Sequence, residues 1–153
     1  MRAAEHRPAI SPRLQRLVEF FEQITPQDAD RMGAIYTDDA LFKDPFNEVR
    51  GVSQIARIFS HMFHQVDRPR FVVKEAVESG EQAFLIWDFE FAFRAPLPRH
   101  QQVIRGASHL RFAPDGRVEM HRDYWDAAEE LYSKLPVLGG FMRFLRRRGA
   151  LSG

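Results

Sequence analysis

The chain has 153 residues, and its 22 Lys and Arg nearly balance its 21 Asp and Glu, which gives a net charge of +1. This balance provides no general attraction for nucleic acid, and we expect none as a partner. The sequence contains no cysteine, which excludes disulfides, thiol catalysis and thiolate metal sites. It shows neither a run of about 20 apolar residues that would span a membrane nor the apolar segment of a signal peptide. We therefore expect one globular, cytoplasmic protein.

The chain is predicted to start with a loosely attached tail over residues 1–10. Residues 11–153 are predicted to form a single domain that includes a C-terminal helix. Ser11 followed by Pro12 is typical of a helix N-terminus. Apolar side chains at helical spacing extend this first helix over residues 12–24.

Two further helices are predicted before the sheet. The second begins at Thr25 and is expected to stop at the polar Thr37–Asp39. Its predicted apolar stripe includes Tyr36. The third is expected to begin at Ser53, a residue type favoured as an N-cap, and its apolar spacing continues to Val66.

From residue 69 onward the apolar residues alternate with polar ones, which is typical of strands. Strands are predicted over residues 71–78, 83–94, 102–112 and 117–126. The strand over 83–94 carries Trp87 on its apolar face, and the next strand places Ser108 with its apolar residues. Helices grouped ahead of an antiparallel meander indicate an α+β domain.

The last predicted strand, residues 117–126, has two contrasting faces. One face is largely apolar, whereas the other carries His121, Asp123 and Trp125. Alternation alone favours solvent for the second face, with the aliphatic side chains in the core. If that face instead lines a pocket, it supplies a base, an acid and an aromatic wall.

The element order and several motifs resemble the nuclear-transport-factor-like superfamily, in its SnoaL-like and ketosteroid-isomerase-like branch. The motifs are Ile35–Ala40, Lys43–Phe46, Gly51, Arg111–Phe112, Asp115–Val118 and Tyr124–Trp125. The resemblance implies a curved antiparallel sheet wrapped around the N-terminal helices to form a cone with a pocket, a cystatin-like roll. It also implies a homodimer formed through the outer sheet face.

The resemblance implies roles for particular residues. Asp44 matches the general-base aspartate of the isomerase pattern, with Asp123 or His121 as its proton partner. Ser108 is implied as a hydrogen-bond donor. The implied pocket walls are Phe42, Phe59, Trp87 and Trp125.

The sequence also departs from the isomerase pattern. That enzyme stabilises its dienolate with a tyrosine and a protonated aspartate. The first helix here has no tyrosine, Ser108 stands at the place of the aspartate, and Phe59 replaces a supporting tyrosine. The base position is kept and the oxyanion donors are not, so strict steroid isomerase activity is not expected.

The sequence therefore predicts that a small apolar molecule binds in the pocket and undergoes acid–base chemistry of isomerase, cyclase or hydrolase type, without cofactor or metal. The alternative is a non-catalytic module of the same fold that binds a ligand or another protein. Asp44 before a proline also has a simpler interpretation as a turn residue.

Two further features have alternative interpretations. His61 and His64 have the spacing of a metal pair, but no carboxylate completes it and surface positions are predicted. The basic cluster Arg146, Arg147 and Arg148 suits the negative end of a terminal helix. It also suits weak contact with an anionic membrane surface.

Overall fold

The computed structural model describes residues 9–97 and 99–132. The helices are α1 (Pro12–Glu22), a 3-10 helix (Pro26–Ala34), α2 (Val52–Gln65) and α3 (Ala127–Glu130). The strands are β1 (Tyr36–Lys43), β2 (Glu48–Arg50), β3 (Val66–Ser79), β4 (Gln82–Phe93), β5 (Gln101–Phe112) and β6 (Val118–Tyr124). The predicted α+β class is confirmed. Within the described ranges, no helix is long and apolar enough to cross a membrane.

The described strands form one curved, unclosed sheet of six strands in the order β2-β1-β6-β5-β4-β3. The predicted antiparallel meander is present, because β3, β4, β5 and β6 pair in antiparallel succession. The early strand β1 pairs in parallel with β6, so the sheet is mixed and not wholly antiparallel. This pairing brings Phe42 of β1 beside His121 of β6.

Helix α1 is attached to the edge strand β3 by polar contacts as well as by its apolar face. The Ser11 hydroxyl donates to Glu78 Oε1 at 2.8 Å, and Arg13 Nε approaches the same oxygen at 2.9 Å. The Ser11 side chain also accepts from the backbone N–H of Leu14, as the predicted N-cap requires. These contacts orient the helix so that its buried side chains Leu14, Leu17, Val18 and Phe21 face the sheet.

The predicted end of the second helix is wrong. The 3-10 helix ends at Ala34, and both Tyr36 and Thr37–Asp39 lie in β1. The reason is sheet pairing: Tyr36 lies opposite Val118, whose N–H donates to the carbonyl of Ile35 at 2.8 Å. Tertiary pairing thus overrides the local helical pattern.

The bounds of α2 also differ from the prediction. Gly51, not Ser53, is the N-cap, and its carbonyl accepts from the N–H groups of Gln54 and Ile55. Gly51 has φ of 105°, a conformation that favours glycine. Val66, predicted as helical, is the first residue of β3.

A β-bulge in β6 decides which of its faces is buried. Val118 pairs with Phe112, but Met120 already pairs with Arg111, so Glu119 is an extra residue in β6. A bulge of this kind reverses the alternation of side chains along a strand. As a result Val118 and His121 are both buried, although strict alternation would place them on opposite faces. The solvent orientation that alternation favoured for His121 is therefore wrong.

Some predicted features lie outside the described residues. These are residues 1–8 of the tail, the C-terminal helix beyond residue 132, and the cluster Arg146, Arg147 and Arg148.

Candidate active site

A cavity of about 820 Å³ lies between α2 and the sheet, within the size range of small-molecule sites. Phenylalanine rings from α1, α2, β3 and β4 form much of its wall: Phe21, Phe59, Phe71, Phe89, Phe91 and Phe93. The structure brings all eight predicted site residues to this cavity: Phe42, Asp44, Phe59, Trp87, Ser108, His121, Asp123 and Trp125.

Asp123 is held on one side by Ser108 of β5, which is itself hydrogen-bonded to Trp87 of β4. The Ser108 hydroxyl contacts Asp123 Oδ1 at 2.5 Å, and Trp87 Nε1 donates to Ser108 Oγ at 2.9 Å. An indole N–H can only donate, whereas a hydroxyl can both accept and donate. Ser108 therefore accepts a hydrogen bond from Trp87 and donates its hydroxyl proton in a hydrogen bond to Asp123.

His121 contacts Asp123 from the other side. Its Nε2 lies 2.6 Å from Asp123 Oδ1, and its Nδ1 lies 2.7 Å from the hydroxyl of Tyr36. The imidazole is only 4% exposed and packs against the rings of Phe21 and Phe42. Because both nitrogens contact protein atoms, His121 presents no free nitrogen to a ligand.

Tyr36 is a polar residue of the site that sequence reasoning missed. Its side chain is fully buried, and burial, with a further contribution from the negative charge of Asp123, raises its pKa well above the usual value. A sequence signal was available, because Tyr36, Ala40 and Phe42 have even spacing, and the structure buries all three. Even spacing is typical of one face of a strand.

Asp44 has two structural roles. It lines the cavity, and its Oδ1 accepts from the backbone N–H groups of Phe46 at 2.8 Å and Asn47 at 2.7 Å. The Asn47 side-chain amide adds a contact of 3.2 Å to the same oxygen. Asp44 therefore closes the turn between β1 and β2 while facing the cavity, so the two interpretations from sequence are not exclusive.

Helix α2 adds exposed polar side chains to the cavity lining. One face of α2 contributes Gln54, Arg57, His61 and Gln65 to the lining. His61 and His64 are both exposed. Among the residues that the structure describes, no group of three or more His, Cys, Asp or Glu is placed to hold a metal ion.

These features define a class: α+β proteins in which a curved sheet and packed helices enclose an aromatic cavity with carboxylates on its wall. Within this class, residues 17–121 match the SnoaL-like domain family model. The chain therefore belongs to the SnoaL-like family. No curated protein matches the sequence.

Several solved structures share the fold at low sequence identity. A hypothetical protein with a ketosteroid isomerase-like fold from Catenulispora acidiphila DSM 44928, in complex with trimethylamine, is 13% identical with a TM-score of 0.69, over 84% of this chain and 96% of that one. A protein from Shewanella putrefaciens CN-32 assigned as a SnoaL-like polyketide cyclase is 17% identical with a TM-score of 0.68, over 82% and 97%. An LEH-like epoxide hydrolase from M. tuberculosis is 18% identical with a TM-score of 0.62, over 88% and 93%.

Proposed function

We propose that this protein binds a small hydrophobic molecule in its cavity and catalyses a cofactor-free acid–base reaction on it. The observation that carries the proposal is the Asp123 carboxylate, held by Ser108 and His121 in the wall of a cavity that is lined largely by aromatic rings. Aromatic walls favour a ligand with an apolar body, and a few fixed polar groups set its orientation. Two fold neighbours, the SnoaL-like polyketide cyclase and the LEH-like epoxide hydrolase, support cyclisation and epoxide hydrolysis as candidate reactions, and the family resemblance adds isomerisation.

We assign the role of general base to Asp123. Its Oδ1 makes the contacts with Ser108 and His121, and its Oδ2 has no hydrogen-bond partner in the described part of the chain. Oδ2 is thus available to remove a proton from a carbon beside a carbonyl, or from a water molecule that attacks an epoxide. The resulting carboxylic acid then returns the proton to the product.

The sequence predicts the opposite assignment, with Asp44 as base. The contacts favour Asp123 because both carboxylate oxygens of Asp44 already accept hydrogen bonds within its own turn, three at Oδ1 and one, from the Asn47 side-chain amide, at Oδ2. Asp44 lines the same cavity, and we propose it as the second polar group that orients the ligand.

Turnover measurements on a panel of hydrophobic ketones, enones and epoxides test this assignment. We expect Asp123→Asn to lower kcat by roughly 10²- to 10⁴-fold, the usual contribution of a general base. The reduction in Asp44→Asn should be smaller. Equal turnover by the wild type and Asp123→Asn would overturn the assignment. Native mass spectrometry that shows a bound ligand, with no product from any compound in the panel, would favour the non-catalytic alternative.

We also propose that the protein forms a homodimer through the outer face of the sheet. Large apolar side chains on β3, β4 and β6 remain between 43% and 50% exposed, namely Val77, Phe84, Ile86 and Tyr124. Phe84 lies directly opposite Val77 on the neighbouring strand, and Ala107 lies between Ile86 and Tyr124 in the register of β4, β5 and β6. A contiguous apolar patch on a sheet face is typical of a protein interface.

A further inference from the structure

Two chains of hydrogen bonds meet at Asp123, one from each side. On one side, Trp87 contacts Ser108, which contacts Asp123 Oδ1. On the other side, Tyr36 contacts His121, which contacts the same oxygen. The direction on the first side is fixed because the Trp87 indole can only donate. On the second side the direction depends on the tautomer of His121.

The environment of Tyr36 determines where its hydroxyl proton lies. The side chain is 0% exposed, and its oxygen has one hydrogen-bond partner among the described residues, Nδ1 of His121. If Nδ1 carried a proton and donated to this oxygen, the hydroxyl proton of Tyr36 would be buried without an acceptor. A buried donor without a partner is strongly disfavoured. Tyr36 therefore donates to Nδ1, and the imidazole proton is on Nε2.

We propose that Tyr36 is a positioning residue that fixes His121 as the neutral tautomer protonated at Nε2, so that the imidazole donates to Asp123 Oδ1 and leaves Oδ2 to the ligand. The catalytic consequence rests on the proposed function of Asp123. The tautomer itself does not, because it can be measured without any substrate.

The packing around His121 supports this role. The rings of Phe21 and Phe42 lie against the imidazole at 5.7 and 4.8 Å between centroids, and they offer no hydrogen-bond acceptor. The ring of Tyr36 lies nearly parallel to the imidazole, with an interplanar angle of 15° and 5.9 Å between the ring centroids. Tyr36 therefore restrains both the plane of the imidazole and the lone pair of Nδ1.

Long-range ¹H–¹⁵N correlation spectra of the ¹⁵N-labelled protein report the tautomer directly. We expect the Nε2-protonated form in the wild type and also in Asp123→Ala, where Tyr36 alone must fix it. In the double variant Tyr36→Phe/Asp123→Ala we expect both tautomers. A wild-type His121 protonated at Nδ1 overturns the inference and requires no variant to fold. Mixed tautomers in Asp123→Ala alone also overturn it.

Kinetics test the consequence for the reaction. Misplacement of a catalytic group is costly, so Tyr36→Phe should lower kcat roughly 10- to 100-fold while KM stays within about twofold. Thr37→Val is the matched control, because it removes the neighbouring hydroxyl, whose contact is to the exposed Asp39. An unchanged kcat in Tyr36→Phe, alongside a large loss in Asp123→Asn, would overturn the positioning role. Full activity in Asp123→Asn would instead overturn the base assignment, and the tautomer spectra would still decide the role of Tyr36.

Discussion

The indole of Trp87 lies over the backbone of Gly106, its direct partner on the neighbouring strand. A Cβ atom at Gly106 would overlap Cη2, Cζ2 and Cζ3 of this ring. The missing side chain thus gives the indole its place in the cavity wall, from which Nε1 reaches Ser108. Glycine in a strand interior often marks such a close approach.

Gly106→Ala should therefore destabilise the protein by about 1 to 3 kcal/mol, the typical cost of overpacking. Chemical denaturation followed by tryptophan fluorescence measures the free energy of unfolding and also reports the surroundings of Trp87 and Trp125 together. Gly33→Ala is the matched control, since a Cβ at Gly33 meets nothing within 4 Å. If the two variants were equally stable, the steric role of Gly106 would be wrong.

Two substitutions of Asp44 test its role in the turn between β1 and β2. Asp44→Asn keeps a side-chain oxygen for the N–H groups of Phe46 and Asn47, so we expect stability close to that of the wild type. Asp44→Ala removes this acceptor and should cost about 1 kcal/mol. Thermal unfolding measures both variants. Equal losses in the two would contradict a turn held by the side-chain oxygen.

The contact between Ser11, Arg13 and Glu78 predicts a pH-dependent contribution to stability. Burial alone would raise the pKa of Glu78, but hydrogen bonds from Ser11 and Arg13 outweigh it and hold the pKa below its ordinary value. A carboxyl group with a lowered folded-state pKa stabilises the fold above its unfolded-state pKa, and this stabilisation is lost as the pH falls through the folded-state value.

Glu78→Gln should consequently be less stable than the wild type at pH 7, and the difference should shrink as the medium is acidified below about pH 4. Urea unfolding across this pH range measures the difference. Glu75→Gln, an exposed substitution on the same strand, should show no comparable trend. A difference for Glu78→Gln that stays constant with pH would argue against the electrostatic origin.

The proposed dimer predicts that one charge on the outer sheet face will separate the subunits. Ile86 is 48% exposed near the centre of β4, and Ile86→Glu would bury a carboxylate in the interface, which is costly without a partner. Light scattering after size exclusion should show a dimer for the wild type and a monomer for this variant. Gln23→Glu adds the same charge at the exposed end of α1 and should remain dimeric. A monomeric wild type would contradict the proposal.

Helix α1 and the strands β4 and β5 were predictable from local signals that do not depend on distant contacts. Helix α1 was predicted from Ser11, Pro12 and the apolar spacing behind them, and the structure has that cap and that buried face. The long strands β4 and β5 were predicted within one residue at each end. Period and capping are properties of a short segment, so a single sequence carries them.

Other features depended on pairing between distant segments. Tyr36 was predicted in a helix because its neighbours have helical spacing, and only its pairing with Val118 places it in β1. Glu78 was predicted only as a strand residue. Its contacts with Ser11 and Arg13 join residues that are more than 60 positions apart.

The sequence by itself determined the α+β class, the order of the helices and of the four long strands β3 to β6, and the residue types that line the cavity. The tertiary structure decided how those residues meet. An extra residue in β6, Glu119, changes the alternation and brings His121 and Asp123 to the cavity side. Such a bulge depends on the register between β5 and β6, which is a property of two strands together and is not encoded in the pattern of either one alone.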